Sequence, residues 1–217
     1  MKTKNCVVLT GGPSVGKTTL LLELRRRGHP VIREVGTIIL RSGLHHPSRD
    51  ILEFQQAIFQ RQIMVEGRLK NREECNRCIF LDRGIPDNVA YLTNAGLEVP
   101  DDFVSADVGH YLVCFLLEPL SFFERNGIRP DFEGLDFTEK ITPLLATAYS
   151  KRGVMVINVP AMSGCLETCV AKKADMIEAI SDELFRLQNQ DVCVSDWPAT
   201  LEVDCLGHRH IRLRLVS

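Results

Sequence analysis

From Cys6 to about Gln188, short apolar runs alternate with longer stretches whose apolar positions recur every three or four residues. That alternation predicts parallel strands joined by helices that cover both faces of a sheet. Cys6-Val7-Val8-Leu9 is the first predicted strand. The helix after it carries Leu20, Leu21, Leu22 and Leu24, then the basic turn Arg25 to Arg27, and stops at Gly28. Pro30-Val31-Ile32-Arg33 opens a second strand. A long helix is predicted over about Asp50 to Arg72, capped by Ser48, with Ile51, Phe54, Ile58 and Met64 near helical spacing. Cys78-Ile79-Phe80-Leu81 is the third strand. Tyr111 to Leu117 and Val154 to Val159 predict two more, both buried on two faces. Further helices are expected near Thr138 to Lys151 and over Ala171 to Gln188.

Beyond Asp191 the period drops to two. Leu201, Val203 and Cys205 alternate with Glu202 and Asp204, and Ile211, Leu213 and Leu215 alternate with Arg212 and Arg214. A fold at Gly207 sets Glu202 opposite Arg212 and Asp204 opposite His210, which predicts a hairpin. The expected division is therefore one α/β domain over 1–190 and a hairpin extension over 191–217, which is not expected to be stable alone and must pack on the core, pair with another chain or open a further domain.

The 217 residues suffice for one well-buried core. With 45% apolar and 25% charged residues the composition is that of an ordered globular chain. No apolar run is long enough to cross a bilayer, and Met1 to Asn5 leads into a strand rather than a secretion signal. A cytoplasmic protein without a transmembrane segment is expected, and its eight cysteines are read as reduced thiols, with Cys6 and Cys114 in the core. A net charge of -2 gives no overall attraction to nucleic acid, which is not expected as a partner.

Candidate chemistry enters at Gly11-Gly12-Pro13-Ser14-Val15-Gly16-Lys17-Thr18. Two glycines with four residues between them, Gly11 and Gly16, followed by Lys and Thr, let the backbone curl so that amide hydrogens point at phosphates. Lys17 adds charge at the outer phosphates and Thr18 a hydroxyl for Mg2+. The motif follows an apolar strand and opens a helix, which is the context this chemistry needs. Thr19 completes the nucleotide-binding set. Such a site also needs an acid at the end of a neighbouring strand for the magnesium shell, and Asp82 directly follows Leu81. Arg83 beside it either pairs locally or faces the substrate.

Leu9 to Thr19, Arg33-Glu34, Phe54 with Gln62 and Glu66 on the long helix, and Phe80 to Asp87 together resemble one family. It is the NadR-like AAA-domain family of P-loop ATPases and kinases, which takes in the ribosylnicotinamide kinase domain of NadR and the TRPL-translocation-defect protein. The resemblance covers about residues 5 to 185, and Asp82-Arg83-Gly84 with Pro86-Asp87 is its most specific part. It implies that 1–190 form a P-loop NTPase/kinase-like domain, an α/β P-loop nucleotide kinase-like three-layer sandwich with a five-stranded parallel sheet, here followed by a C-terminal β-hairpin extension. Some relatives continue into a triphosphate-tunnel-like barrel. It further implies that Gln62 reads a base or ribose and that Glu34 accepts the proton of the acceptor hydroxyl. Glu34 is expected to face the same crevice as Lys17 and Asp82, with a raised pKa near the phosphates; the other reading of Glu34 is a cap on a helix starting near Val35.

Arg125 and Arg129, four apart in a polar loop after the fourth strand, are candidates for closing over the transferring phosphoryl group; a solvated loop is the other reading. Pairing Cys75 and Cys78 with Cys165 and Cys169 in a zinc site would need the two pairs to converge, while Cys78 starts a buried strand. The Asn-Lys-x-Asp guanine signature is missing, so ATP and GTP both stay open. Two functions remain. One is transfer of the terminal phosphate to a small nucleoside-like acceptor. The other is slow hydrolysis by a nucleotide-dependent switch with a protein or phosphoinositide partner.

Overall fold

A computed structural model describes residues 4–70, 77–118, 135–162, 164–190, 200–205 and 209–214. Five strands form one parallel sheet: β1 (Cys6–Thr10), β2 (Val31–Ile32), β3 (Ile79–Asp82), β4 (Tyr111–Leu117) and β5 (Val156–Val159). Their order is β2-β3-β1-β4-β5, so the strand that feeds the P-loop is central. The helices are α1 (Lys17–Arg26), α2 (Val35–Ser42), α3 (Ile51–Lys70), α4 (Ile85–Asn94), α5 (Asp101–Ser105), α6 (Leu135–Ser150) and α7 (Leu166–Asn189).

Side chains of β1 alternate between the sheet's two faces, as strand geometry requires. Val7 and Leu9 join Phe80, Val113, Phe115 and Leu117 against α1 and α7, through Leu20, Leu24, Ile177 and Ile180. Cys6 and Val8 join Ile79, Leu81 and Cys114 on the other face, against Tyr111 and Tyr149. Burying one Leu or Phe completely contributes roughly 2 kcal/mol, so these two layers hold the strand ends firmly in place. An ion cluster ties α1 to α7: Arg27 meets Glu23 and Asp175 at 2.8 and 2.7 Å and also Glu178, whose other oxygen lies 2.7 Å from His29.

Several sequence expectations shift. β5 is not buried on both faces, because Asn158 is exposed and the strand lies at the sheet edge. The cap of α3 is Asp50, whose Oδ1 accepts the Glu53 N–H at 2.9 Å; the Ser48 hydroxyl instead meets His46 Nδ1 at 2.7 Å. The last helix starts at Leu166 rather than Ala171. Helices α4 and α5 are not among the expected helices, although Ile85, Val89 and Leu92 of α4 stand at i, i+4 and i+7 and pack into one core cluster. Strands β6 (Thr200–Cys205) and β7 (Arg209–Arg214) pair antiparallel in the expected register, Glu202 with Arg212 and Asp204 with His210, and β6 lies against α7.

Candidate active site

The turn from β1 into α1 needs unusual backbone. Gly11 has φ 143°, Gly16 φ 89° and Ser14 φ 63°. A Cβ on Gly11 would lie 2.7 Å from the Leu117 carbonyl oxygen, so the loop presses on the neighbouring strand end. Gly12 is packed as closely by α6, since a Cβ there would fall 2.4 Å from Thr138 Cγ2. Lys17 is buried rather than solvent-accessible, and its ammonium donates to the carbonyls of Gly11 at 3.0 Å and Gly12 at 2.6 Å. Burial and the nearby Arg83 charge bring its pKa down to about 7. Thr18 and Thr19, the next two residues, are exposed, and Val15 is core. Pro13 is buried with Gly11 and Gly12 in the same loop.

At the adjacent strand end, Asp82 is buried and its Oδ1 has no hydrogen-bond partner. Burial and the Glu34 charge push its pKa up to about 6, against the pull of Arg83 and Lys17. Arg83 has φ 69°, a conformation a long side chain seldom adopts outside functional turns. Its amide donates to the Leu9 carbonyl at 3.0 Å, which keys the turn to β1. The guanidinium lies between two acids: Nε donates to Glu34 Oε1 at 2.8 Å and Nη1 to Asp87 Oδ1 at 3.2 Å. Nη1 also reaches the Gly11 carbonyl at 3.5 Å, and the group sits 5.0 Å above the Tyr91 ring.

Glu34 occupies the position before α2, yet its side chain accepts no backbone N–H of that helix. It takes the Thr37 hydroxyl at 2.7 Å and Arg83. Its expected raised pKa is overturned: burial acts upward, but the Arg83 charge, the Thr37 and Arg83 hydrogen bonds and the Lys17 charge together hold it down at about 2. Glu34 is therefore an ionised carboxylate at neutral pH.

Asp87 is a second buried acid, tied on every side. Oδ1 accepts the Thr10 hydroxyl at 2.6 Å besides Arg83, and Oδ2 accepts the Tyr149 hydroxyl at 2.5 Å and the Gly84 N–H at 3.2 Å. The last bond caps α4. Gln62, from α3, is also buried: its amide donates to the Arg83 carbonyl at 3.3 Å and accepts from Asn88 at 3.1 Å, so it braces the Arg83 turn. Below it Glu66 Oε2 receives the Tyr111 hydroxyl at 2.6 Å, and Tyr111 in turn accepts the Ile85 N–H at 2.8 Å.

Lys17, Glu34, Asp82 and Arg83 thus converge, as their mutual charge effects record. Arg125 and Arg129 lie outside the described residues, as does Cys75. Cys78 is buried, with its thiol pushed up to about 12 by burial, and no acid or thiol cluster able to hold a metal by itself occurs among the described residues. Nothing in the sequence alone gives Asp87 or Tyr149 a role. The nearest signal is that Asp87 stands one helical turn beyond Arg83; Tyr149, 62 residues further along, offers none. Among the described residues no helix is long and apolar enough to cross a membrane.

The family described as an AAA domain matches residues 6–167. Two NadR structures align at 16% identity: the complex with NR, TM-score 0.55, over 72% of this chain and 43% of that one, and the complex with NAD and AMP-PNP, TM-score 0.57, over 88% and 51%. This chain thus spans about half the length of the NadR chains. Deoxyadenosine kinase from M. mycoides aligns at 13% identity and TM-score 0.57, over 82% of this chain and 99% of that one. No curated protein matches. With its match extending over well more than half of the sequence, the protein belongs to the NadR-like P-loop family described as an AAA domain, and its fold is that of the P-loop nucleotide kinases.

Proposed function

We propose that this protein binds a nucleoside triphosphate, ATP or GTP, with magnesium and transfers the terminal phosphate to a small nucleoside-like acceptor. The observation that carries the reading is the meeting of a P-loop lysine with two acids of opposite character, Asp82 with a bare buried oxygen and Glu34 ionised at the crevice edge. The donor set suits magnesium, which asks for a hydroxyl, one carboxylate and phosphate oxygens rather than a cage of protein ligands. Thr18 and Asp82 would hold it, and the ion would neutralise charge on the outer phosphates. Lys17 leaves the loop carbonyls for the phosphates, and Glu34, a weak base while Arg83 holds it, takes the proton of the attacking hydroxyl once it turns from Arg83 toward the acceptor. Arg125 and Arg129 would close over the transferring group. The fold shared with deoxyadenosine kinase and NadR supports a nucleoside-like acceptor.

The test is titration with ATP and GTP, with and without magnesium, followed by mass spectrometry of a nucleoside panel incubated with the triphosphate. A phosphorylated nucleoside is expected. Tight binding with phosphate release and no product would select the slow switch instead. One contact favours that second reading: Thr138 of α6 rests on Gly12, so any reshaping of the loop when Lys17 turns to phosphate is passed to α6.

A further inference from the structure

Arg83 is a buried guanidinium shared between Glu34 and Asp87, and the two acids are held very differently. Asp87 has its side chain 5% exposed and accepts four hydrogen bonds, from β1, the Arg83 turn, the α4 N-terminus and α6. It has no freedom to leave and no face for a substrate. Glu34 is 31% exposed and, beside Arg83, is held by the single Thr37 hydroxyl of its own helix. A carboxylate that must turn to an incoming hydroxyl has to give up part of its ion pair. If it were Arg83's sole partner, that movement would strand a buried cation, which is strongly unfavourable.

We propose that Asp87 is a positioning residue for transfer: it is the standing counter-ion of Arg83, and by keeping the guanidinium paired it frees Glu34 to meet the acceptor. The inference rests on the role given to Glu34 above. Tyr149 and Thr10 belong to the device, because they fix the Asp87 carboxylate in the one orientation that faces Nη1.

The test uses Asp87→Asn, Glu34→Gln and the double variant, with Mg-ATP and Mg-GTP as probes and water as the acceptor, so that phosphate release is read whatever the natural acceptor is. Asp87→Asn should lower kcat by at least about tenfold while KM for the triphosphate moves by less than about twofold. In the Glu34→Gln background the same change should alter kcat by less than about twofold, since the base it serves is gone. An equal fall in both backgrounds, or a loss carried by KM, would mean Asp87 only supports the fold and would overturn the proposal. A second measurement stands apart from turnover: the guanidinium NMR signals of Arg83 in Glu34→Ala. They should stay resolved and slow to exchange because Asp87 still holds Nη1; signals averaged like those of a solvated arginine sink the proposal even if Asp87→Asn fails to fold. A parent that binds triphosphate and neither releases phosphate nor forms product would defeat the transfer reading alone, and the Arg83 signals would then decide the pairing.

Discussion

Lys17 is a buried ammonium with a folded pKa of about 7 against an ordinary 10.5. Between those values the unfolded chain holds more protons, so the group's unfavourable contribution is full below pH 7 and is relieved as pH rises toward 10.5. Lys17→Met should remove that alkaline rise, seen as a flatter melting temperature between pH 7 and 10, and should weaken triphosphate binding by at least about tenfold. Unchanged affinity would dismiss the P-loop reading. Asp82 has the opposite profile. Its folded pKa of about 6 exceeds the ordinary 3.8, so stability from this group falls as pH climbs from 3.8 to 6, and above 6 the buried charge is a steady cost. Asp82→Asn should therefore melt higher than the parent at pH 7 in EDTA and yet lose the magnesium-dependent part of nucleotide binding. A lower melting temperature would mean that the bare oxygen has a partner in solution. The types and positions of Lys17, Asp82 and Glu34 were readable from motif and strand ends. Their ionisation was not, because it depends on burial at Lys17 and Asp82 and, for Glu34, on Arg83 reaching it across 49 positions of chain.

At the scale of elements, the P-loop is gripped from two sides, and the grips differ in kind. Gly11 abuts the backbone carbonyl of Leu117, whereas Gly12 abuts the side chain of Thr138. Gly12→Ala should lower both melting temperature and triphosphate affinity, and Thr138→Ala should recover part of the loss, since it removes the nearest atom. Gly11→Ala should have no such second-site rescue, because its neighbour is main chain and its φ of 143° disfavours a side chain in any surroundings. Equal behaviour of the two variants in thermal melts would contradict this. Periodicity served well for β1, β4, α1 and α3, although Leu22 of α1 and Met64 of α3 are half exposed and face no packed layer. It extends to α4, absent from the expected helices, whose Ile85, Val89 and Leu92 stand at i, i+4 and i+7 and pack with Phe59 and Phe103, while Asp87 and Asn88 are buried on polar contacts. It misplaced the start of α7 because Leu166 is 56% exposed, so the first turn has no core-facing pattern to read.

Across the whole molecule, the site lies at the carboxyl ends of β1 and β3, as expected for an open parallel sheet. The β6–β7 hairpin is proposed as an appendage of the kinase-like unit, since an isolated two-stranded ribbon is marginal in water and β6 meets α7. Deleting 191–217 should lower the melting temperature while leaving triphosphate affinity within about twofold, because α7, which β6 meets, is tied to α1 through Arg27, at the end of that helix away from Lys17. A large loss of affinity would tie the hairpin to the site. Its register was legible because opposite charges alternate with aliphatics; what it packs against was not, since a period of two names a face and not a neighbour.

The central place of β1 also has a kinetic consequence. With Asp82 and Glu34 following β3 and β2 on one side of the loop, and β4 and β5 on the other, the strand order sets Lys17 between the acids and the other half of the sheet. On the transfer reading, donor and acceptor reside together at the strand ends, and no phosphorylated protein need form between them. Initial velocities measured against one substrate at several fixed levels of the other should give reciprocal plots that intersect; parallel lines would mean that the first product departs before the second substrate arrives.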